Sequence, residues 1–236
     1  MTLINSKNNP LSFKEDFVKN GSVFIRDFLD QHFAEKIADF FEHGMPKDWW
    51  YSSSYSNDHP SINYIRNFDF NTEAIKTESN LIHRRMNEGQ FTYWFYRTTG
   101  DHVEGCNCEE CEFRKWLLSE ELLGFLSQVS GLEITKFDTT FASKYSEGCF
   151  LSPHHDHKNG DIGFVLQLTR NWKPQWGGLL HFMSDDQKSI EETEVPTFNT
   201  LTLFHLPEGS GKWHFVSHVN PGVTRSRIAY TGWFSR

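Results

Sequence analysis

The chain has 236 residues, 37% of them hydrophobic and 23% charged, enough to bury one substantial core and ordinary for a globular protein. Lys plus Arg number 23 against 31 Asp plus Glu, a net charge of −8, and no basic run could track a phosphate backbone, which argues against a nucleic-acid partner. With no apolar leader core and no apolar stretch of about 18 residues, no membrane association is expected, and a cytoplasmic protein is.

Taken in chain order, Asp30 is placed to cap a helical face of Phe33, Ile37, Phe40 and Phe41 that Gly44 would stop. The clusters Trp49-Trp50-Tyr51 and Phe91 to Tyr96 are candidates for a substrate wall, with core packing the commoner use of such rings. Helical spacing returns over about Asn71 to Asn87, and again from Ser119 to Val129, where Leu122, Leu123, Leu126 and Val129 point inward and Gly131 follows the end. From Asp138 the pattern changes to short β-branched and aromatic runs. Strands are predicted near 138–146, 162–169, 178–183, 199–206, 213–219 and 225–234, divided by turn signals such as Lys158-Asn159-Gly160 and Asn220-Pro221-Gly222. The prediction is a mainly β single domain over 1–236. In it 1–137 form mostly helical support and substrate wall, and 138–236 a sandwich or jelly-roll core.

Cys106, Cys108 and Cys111 lie too close together for an ordinary disulfide framework, which suits a reducing compartment. With His102 they offer the thiolate and imidazole donors of a closed tetrahedral structural zinc site; thiols without metal in a loop are the competing reading.

The segment Tyr145 to His157 carries the strongest chemical signal. On a strand, residues two apart share a face, so His154 and Asp156 project together while His155 turns away; His155 and His157 are the alternatives. Two His and one carboxylate on one face of a non-heme iron leave three positions open. His214, in a strand-like run after a turn-rich segment, is the candidate third ligand, with His205 and His218 read as core-edge or pocket residues. Arg227 alternates with Ile228 and Tyr230. An inward Arg is costly to bury without an anion, and its planar fork suits a carboxylate. Trp233 and Phe234 read as packing.

Five ordered elements are Tyr145-x-x-Gly148-x-x-Leu151-x-x-His154-x-Asp156, Trp176-Gly177-Gly178-x-Leu180, Pro196-x-x-Asn199, His214-x-Val216-x-x-Val219 and Arg227-x-Ala229-x-Thr231-Gly232-Trp233-Phe234. Over residues 138 to 236 they resemble the prolyl-hydroxylase-like branch of the Fe(II)- and 2-oxoglutarate-dependent oxygenases, and the closing Thr-Gly-Trp-Phe is similar to ribosomal-protein prolyl hydroxylases. The resemblance implies a double-stranded β-helix core, with Fe(II) on His154, Asp156 and His214. It also implies 2-oxoglutarate on Arg227 rather than Arg225, O2 as oxidant, and room for ascorbate as an auxiliary. Tyr145 is a candidate hydrogen-bond partner of the co-substrate; a Tyr that contacts it in some relatives is Gln167 here. The implied reaction hydroxylates a prolyl residue of a protein or peptide, or an amino-acid-like small molecule, giving succinate and CO2. Asp156 favours this over halogenation, for which relatives carry a small residue at that position. A non-catalytic metal or 2-oxoglutarate binding protein of the same fold and a zinc-stabilised module on the Cys cluster are the alternatives. The motifs carry no information on oligomeric state.

Overall fold

A computed structural model describes residues 2–58, 61–99, 105–156, 159–207 and 211–236. Helix α1 (Leu11–Asn20) ends on Gly21 at φ 69° and leads into β1 (Ser22–Ile25). Asp30 caps α2 (Gln31–Asp39) as expected: its Oδ1 accepts the Phe33 N–H at 3.1 Å, and Ala34, Ile37 and Ala38 are buried. Past Asp39 the helix widens into a π-type turn over Phe40–Gly44, which keeps Phe41 in the core. Then come β2 (Tyr51–Ser56), β3 (Asn63–Arg66), α3 (Thr72–Asn87), β4 (Thr92–Arg97), α4 (Glu109–Trp116) and α5 (Glu120–Ser130). The Ser119 hydroxyl accepts the Leu122 N–H to start α5, and Gly131 closes it at φ 74°. Reading 1–137 as mostly helical overlooks the four strands β1 to β4. In β2, Ser52, Ser53, Ser54 and Ser56 are buried, and the strand is held by six-residue pairing with β4 rather than by its own propensity.

The second half supplies β5 (Lys136–Tyr145), β6 (Phe150–His154), β7 (Ile162–Gln167), β8 (Leu180–Met183), β9 (Ile190–Glu194), β10 (Thr200–His205), β11 (His214–Val216) and β12 (Arg227–Ser235). One antiparallel sheet runs in the order β1-β10-β7-β12-β5-β4-β6-β11-β8-β9, with β2 on β4 and β3 on β2, and curls into the half-barrel of a jelly roll. The period of two sorts its faces. Phe164, Leu166, Ile228, Tyr230 and Phe234 face the helical side, packed with Phe17, Ile37, Phe113 and Leu126. Phe141, Tyr145, Val165, Phe182, Phe204 and Ala229 line the inside. Each ring or branched side chain buried this way contributes about 1.5–3 kcal/mol.

Two of the sequence elements shape the barrel without chemistry of their own. Asn199 stands in the left-handed region at φ 56°; its Oδ1 accepts the Leu29 N–H and its Nδ2 donates to the Leu29 carbonyl, both at 2.9 Å. Its backbone also bonds Gln167 and Phe28, so one residue ties the N-terminal half to the start of β10. At Gly177 (φ 72°, ψ −154°) a Cβ would lie 2.0 Å from the His218 carbonyl oxygen, and the next N–H, of Gly178, donates to that oxygen at 3.0 Å. Only glycine lets the strand after β11 approach this closely.

Candidate active site

The turn from β5 to β6 passes through Gly148 at φ 77°, and Gly148 and Cys149 exchange backbone bonds with Val219, seating β6 beside β11. His154 ends β6 directly opposite His214 on β11. Asp156 lies two residues past the strand end rather than on it, yet faces both imidazoles. His154 Nε2 is 3.5 Å from its Oδ1 and His214 Nε2 is 3.4 Å from its Oδ2. Each ring turns its other nitrogen to a backbone carbonyl, Nδ1 of His154 to Ser152 at 3.0 Å and Nδ1 of His214 to Lys212 at 2.8 Å. A carbonyl can only accept, so both Nδ1 atoms carry a proton, and Nε2 is the atom each ring turns toward the carboxylate. Burial and the neighbouring His214 push His154 down to about 4, leaving it neutral near neutral pH. Burial alone would raise Asp156, but the two imidazoles, with the Trp233 side chain adding to them, hold it well below the usual carboxylate range. Asn159 Nδ2 donates to the same carboxylate at 3.0 Å.

Two imidazole nitrogens and one carboxylate, with donor atoms within 4.8 Å of one another, are the donor set of a facial metal site. Ligands in adjacent positions around a metal at about 2.1 Å sit roughly 3 Å apart. The observed spacings are close to that.

The triad opens into a cavity of about 900 Å³ that also contains Tyr145 and Arg227. Arg227 is only 2% exposed. Its Nε and Nη2 reach Gln167 Oε1 at 3.4 Å each, and its Nη1 has no hydrogen-bond partner among the described residues. The guanidinium lies 5.2 Å from the Tyr145 ring centroid. Burial lowers its pKa, with Tyr145 and Glu194 acting the other way. A buried cation whose fork is incompletely met calls for a planar anion, which a dicarboxylate reaching toward the triad supplies. Arg225, by contrast, pairs at the surface with Glu42 at 2.9 Å.

Other predicted residues are distributed unevenly. Phe91, Tyr93 and Phe95 line the cavity, while Trp94 turns away to donate to Ser52 at 2.9 Å, and Trp50 belongs to the helical-side core. His155 packs its ring edge-on against Trp213 at the cavity. His218 stacks on Phe150 at 4.3 Å and His205 lies beside Phe17, both away from the lining. Trp233, read as packing, also lines the cavity that holds Asp156. Gln167, which the resemblance had singled out in place of a Tyr, lies against Arg227, while Asn159 and Glu194 escaped the sequence reading as site residues. Cys106, Cys108 and Cys111 do converge, and burial with the adjoining sulfurs pushes Cys111 up to about 12. His102 and His157 lie outside the described residues.

Residues 140–235 match the family model of the 2OG-Fe(II) oxygenase superfamily. No curated protein matches the chain in sequence. Among solved structures, a Pseudomonas putida prolyl-4-hydroxylase is similar with TM-score 0.58 and 18% identity, over 96% of this chain and 98% of that one. A Trichoplax adhaerens prolyl hydroxylase in complex with a hypoxia inducible factor peptide gives 0.59 and 16%, over 95% and 88%. A 2OG-Fe(II) oxygenase family oxidoreductase from Burkholderia pseudomallei gives 0.62 and 13%, over 100% and 95%. These likenesses establish the fold. Residues 140–235, which hold the triad and Arg227, are of the 2OG-Fe(II) oxygenase superfamily, and the chain is a dioxygenase that uses Fe(II), 2-oxoglutarate and O2.

Proposed function

We propose that the chain hydroxylates a prolyl residue carried in a peptide or protein, or an amino-acid-like small molecule, with succinate and CO2 as co-products. In this reading His154, Asp156 and His214 hold the iron and Arg227 holds the distal carboxylate of 2-oxoglutarate. The observation that carries it is one cavity with a three-donor cluster and, separately, an incompletely satisfied buried Arg. Iron, 2-oxoglutarate and O2 together supply the oxidising equivalents for inserting oxygen into a C–H bond. The chain's own part is placement. Ser152 and Lys212 carbonyls fix the imidazoles, Asn159 fixes the carboxylate, and Gln167 steadies the Arg227 fork. Burial raises the Tyr145 pKa, so its hydroxyl stays protonated and is available to donate to a bound carboxylate.

The cavity wall favours a prolyl substrate. Phe91, Tyr93, Trp213 and Trp233 line the cavity with rings that suit a pyrrolidine, and Ile62 and Tyr64, 38% and 43% exposed, carry the apolar lining out to the surface as a peptide requires. The similar enzyme crystallised with a peptide supports the same preference. The test is to purify the protein without oxygen, add Fe(II) and 2-oxoglutarate, and screen prolyl peptides and amino acids. The expected result is substrate-dependent succinate and a product about 16 Da heavier, one oxygen atom. His154→Ala and Asp156→Ala should each abolish turnover with the fold retained by circular dichroism; full activity in either would remove that residue from the ligand set.

A further inference from the structure

Away from the cavity, the Cys106, Cys108 and Cys111 sulfurs lie within 4.8 Å of one another. Sulfurs that share a tetrahedral zinc at about 2.3 Å stand roughly 3.8 Å apart, so the cluster is within about 1 Å of a ligand set. Local structure builds this convergence. Gly105 turns at φ 75°, Cys108 is the extended residue before α4 (φ −68°, ψ 168°), and Cys111 lies in the first turn of that helix. The Glu112 N–H bonds back to the Cys108 carbonyl at 3.0 Å, fixing the two cysteines on one side of the turn. A disulfide would use two sulfurs and leave out the third, whereas a metal uses all three.

We propose that Cys106, Cys108 and Cys111 bind a structural Zn2+ separate from the iron. Three thiol protons leave to solvent as three zinc–sulfur bonds form. The fourth position falls to water; His102, the candidate from the sequence, lies outside the described residues. The place of the cluster gives it a task. It sits between the end of β4, whose Phe95 and Arg97 line the cavity, and α4, which sets Phe113 and Trp116 in the core. Thr98 already donates to the buried Glu110 carboxylate at 2.6 Å across this same connection. Zinc here pins one wall of the cavity from outside.

Nothing in this proposal depends on the oxygenase reading, and the test keeps the two apart. The 236-residue protein, the variants His154→Ala/His214→Ala and Cys108→Ser, and the three substitutions combined are purified in reducing buffer and incubated with zinc, and bound metal is counted after removal of the excess. The His154, Asp156 and His214 donors also take zinc, so about two zinc per chain are expected in the wild type, about one in the double His variant and about one in Cys108→Ser, with at least tenfold less than one when all three substitutions are combined. Replacing zinc by cobalt in the wild type should give sulfur-to-metal charge-transfer absorption, a signature that stands even if Cys108→Ser fails to fold. Chelation should lower Tm by roughly 5 °C. A wild type that takes up no zinc and shows no such absorption overturns the proposal, as does a double His variant that holds no zinc.

Discussion

Arg227 sets stability against function within one side chain. Fully buried, with a lone Nη1 and two long contacts to Gln167, it costs the empty fold desolvation that its hydrogen bonds do not offset. Such a residue makes sense where a ligand completes its shell. Arg227→Met should therefore raise the Tm of the ligand-free protein by a few degrees, while eliminating the extra stabilisation that 2-oxoglutarate gives the wild type. Arg227→Ala should raise the 2-oxoglutarate requirement about 10- to 100-fold, the loss of a charge-assisted pair of about 1.5–3 kcal/mol. Arg225→Ala, which breaks only a half-exposed pair with Glu42, should change it less than about twofold. Steady-state titration of 2-oxoglutarate decides this, and equal effects at the two positions would take the co-substrate role away from Arg227.

At the level of elements, the barrel depends on crossings that single residues permit. Asn199→Ala removes two side-chain bonds to the buried Leu29 peptide groups and leaves a left-handed φ without the Asn that tolerates it. The expected loss is about 2–4 kcal/mol in urea unfolding, against less for Asn199→Gly, which relieves the backbone but not the orphaned groups. A pair of variants with equal losses would mean that the left-handed backbone contributes nothing, and an Asn199→Gly as stable as the wild type that the side-chain bonds contribute nothing. These devices also explain what was legible in the sequence. The triad was readable because metal chemistry restricts donor types and the spacing in His154-x-Asp156 is local. Asn199 and Gly177 were visible as motif letters whose reason lies in partners 170 and some forty residues away, Leu29 and His218. Gln167 reaches Arg227 only because β7 and β12 pair, and nothing local in Ile162–Gln167 announces it. The strands β2 to β4 were hidden for the same reason: buried serines and clustered rings follow no clean period, and pairing, not propensity, makes them strands.

Across the whole molecule the curl has to be closed, and the side chains that close it are far apart along the sheet. Strand β9 is the last in the pairing order and β10 the second, yet the Thr202 hydroxyl of β10 donates to the Glu194 carboxylate of β9, and Phe182 of β8 meets Phe204 of β10 edge-on at 5.8 Å. Glu194 is therefore a polar closure inside an apolar barrel, with its other oxygen unpartnered. Burial pushes its pKa from 4.5 to about 7, with Glu192 adding to the rise and Thr202, Arg227 and Arg26 opposing it. The folded protein thus holds this proton more tightly than the unfolded chain does. Below pH 4.5 both states carry it and nothing is lost; above about 7 neither does, and the barrel encloses a charge. Stability must fall as pH rises between those limits, by about 3 kcal/mol for the whole interval. Glu194→Gln keeps an acceptor for Thr202 and cannot ionise, so its advantage over the wild type should be absent near pH 4.5 and grow to about that size by pH 8. Urea unfolding of both proteins across this range measures it, and a difference that does not change with pH would show that Glu194 does not set the pH dependence of the closed barrel.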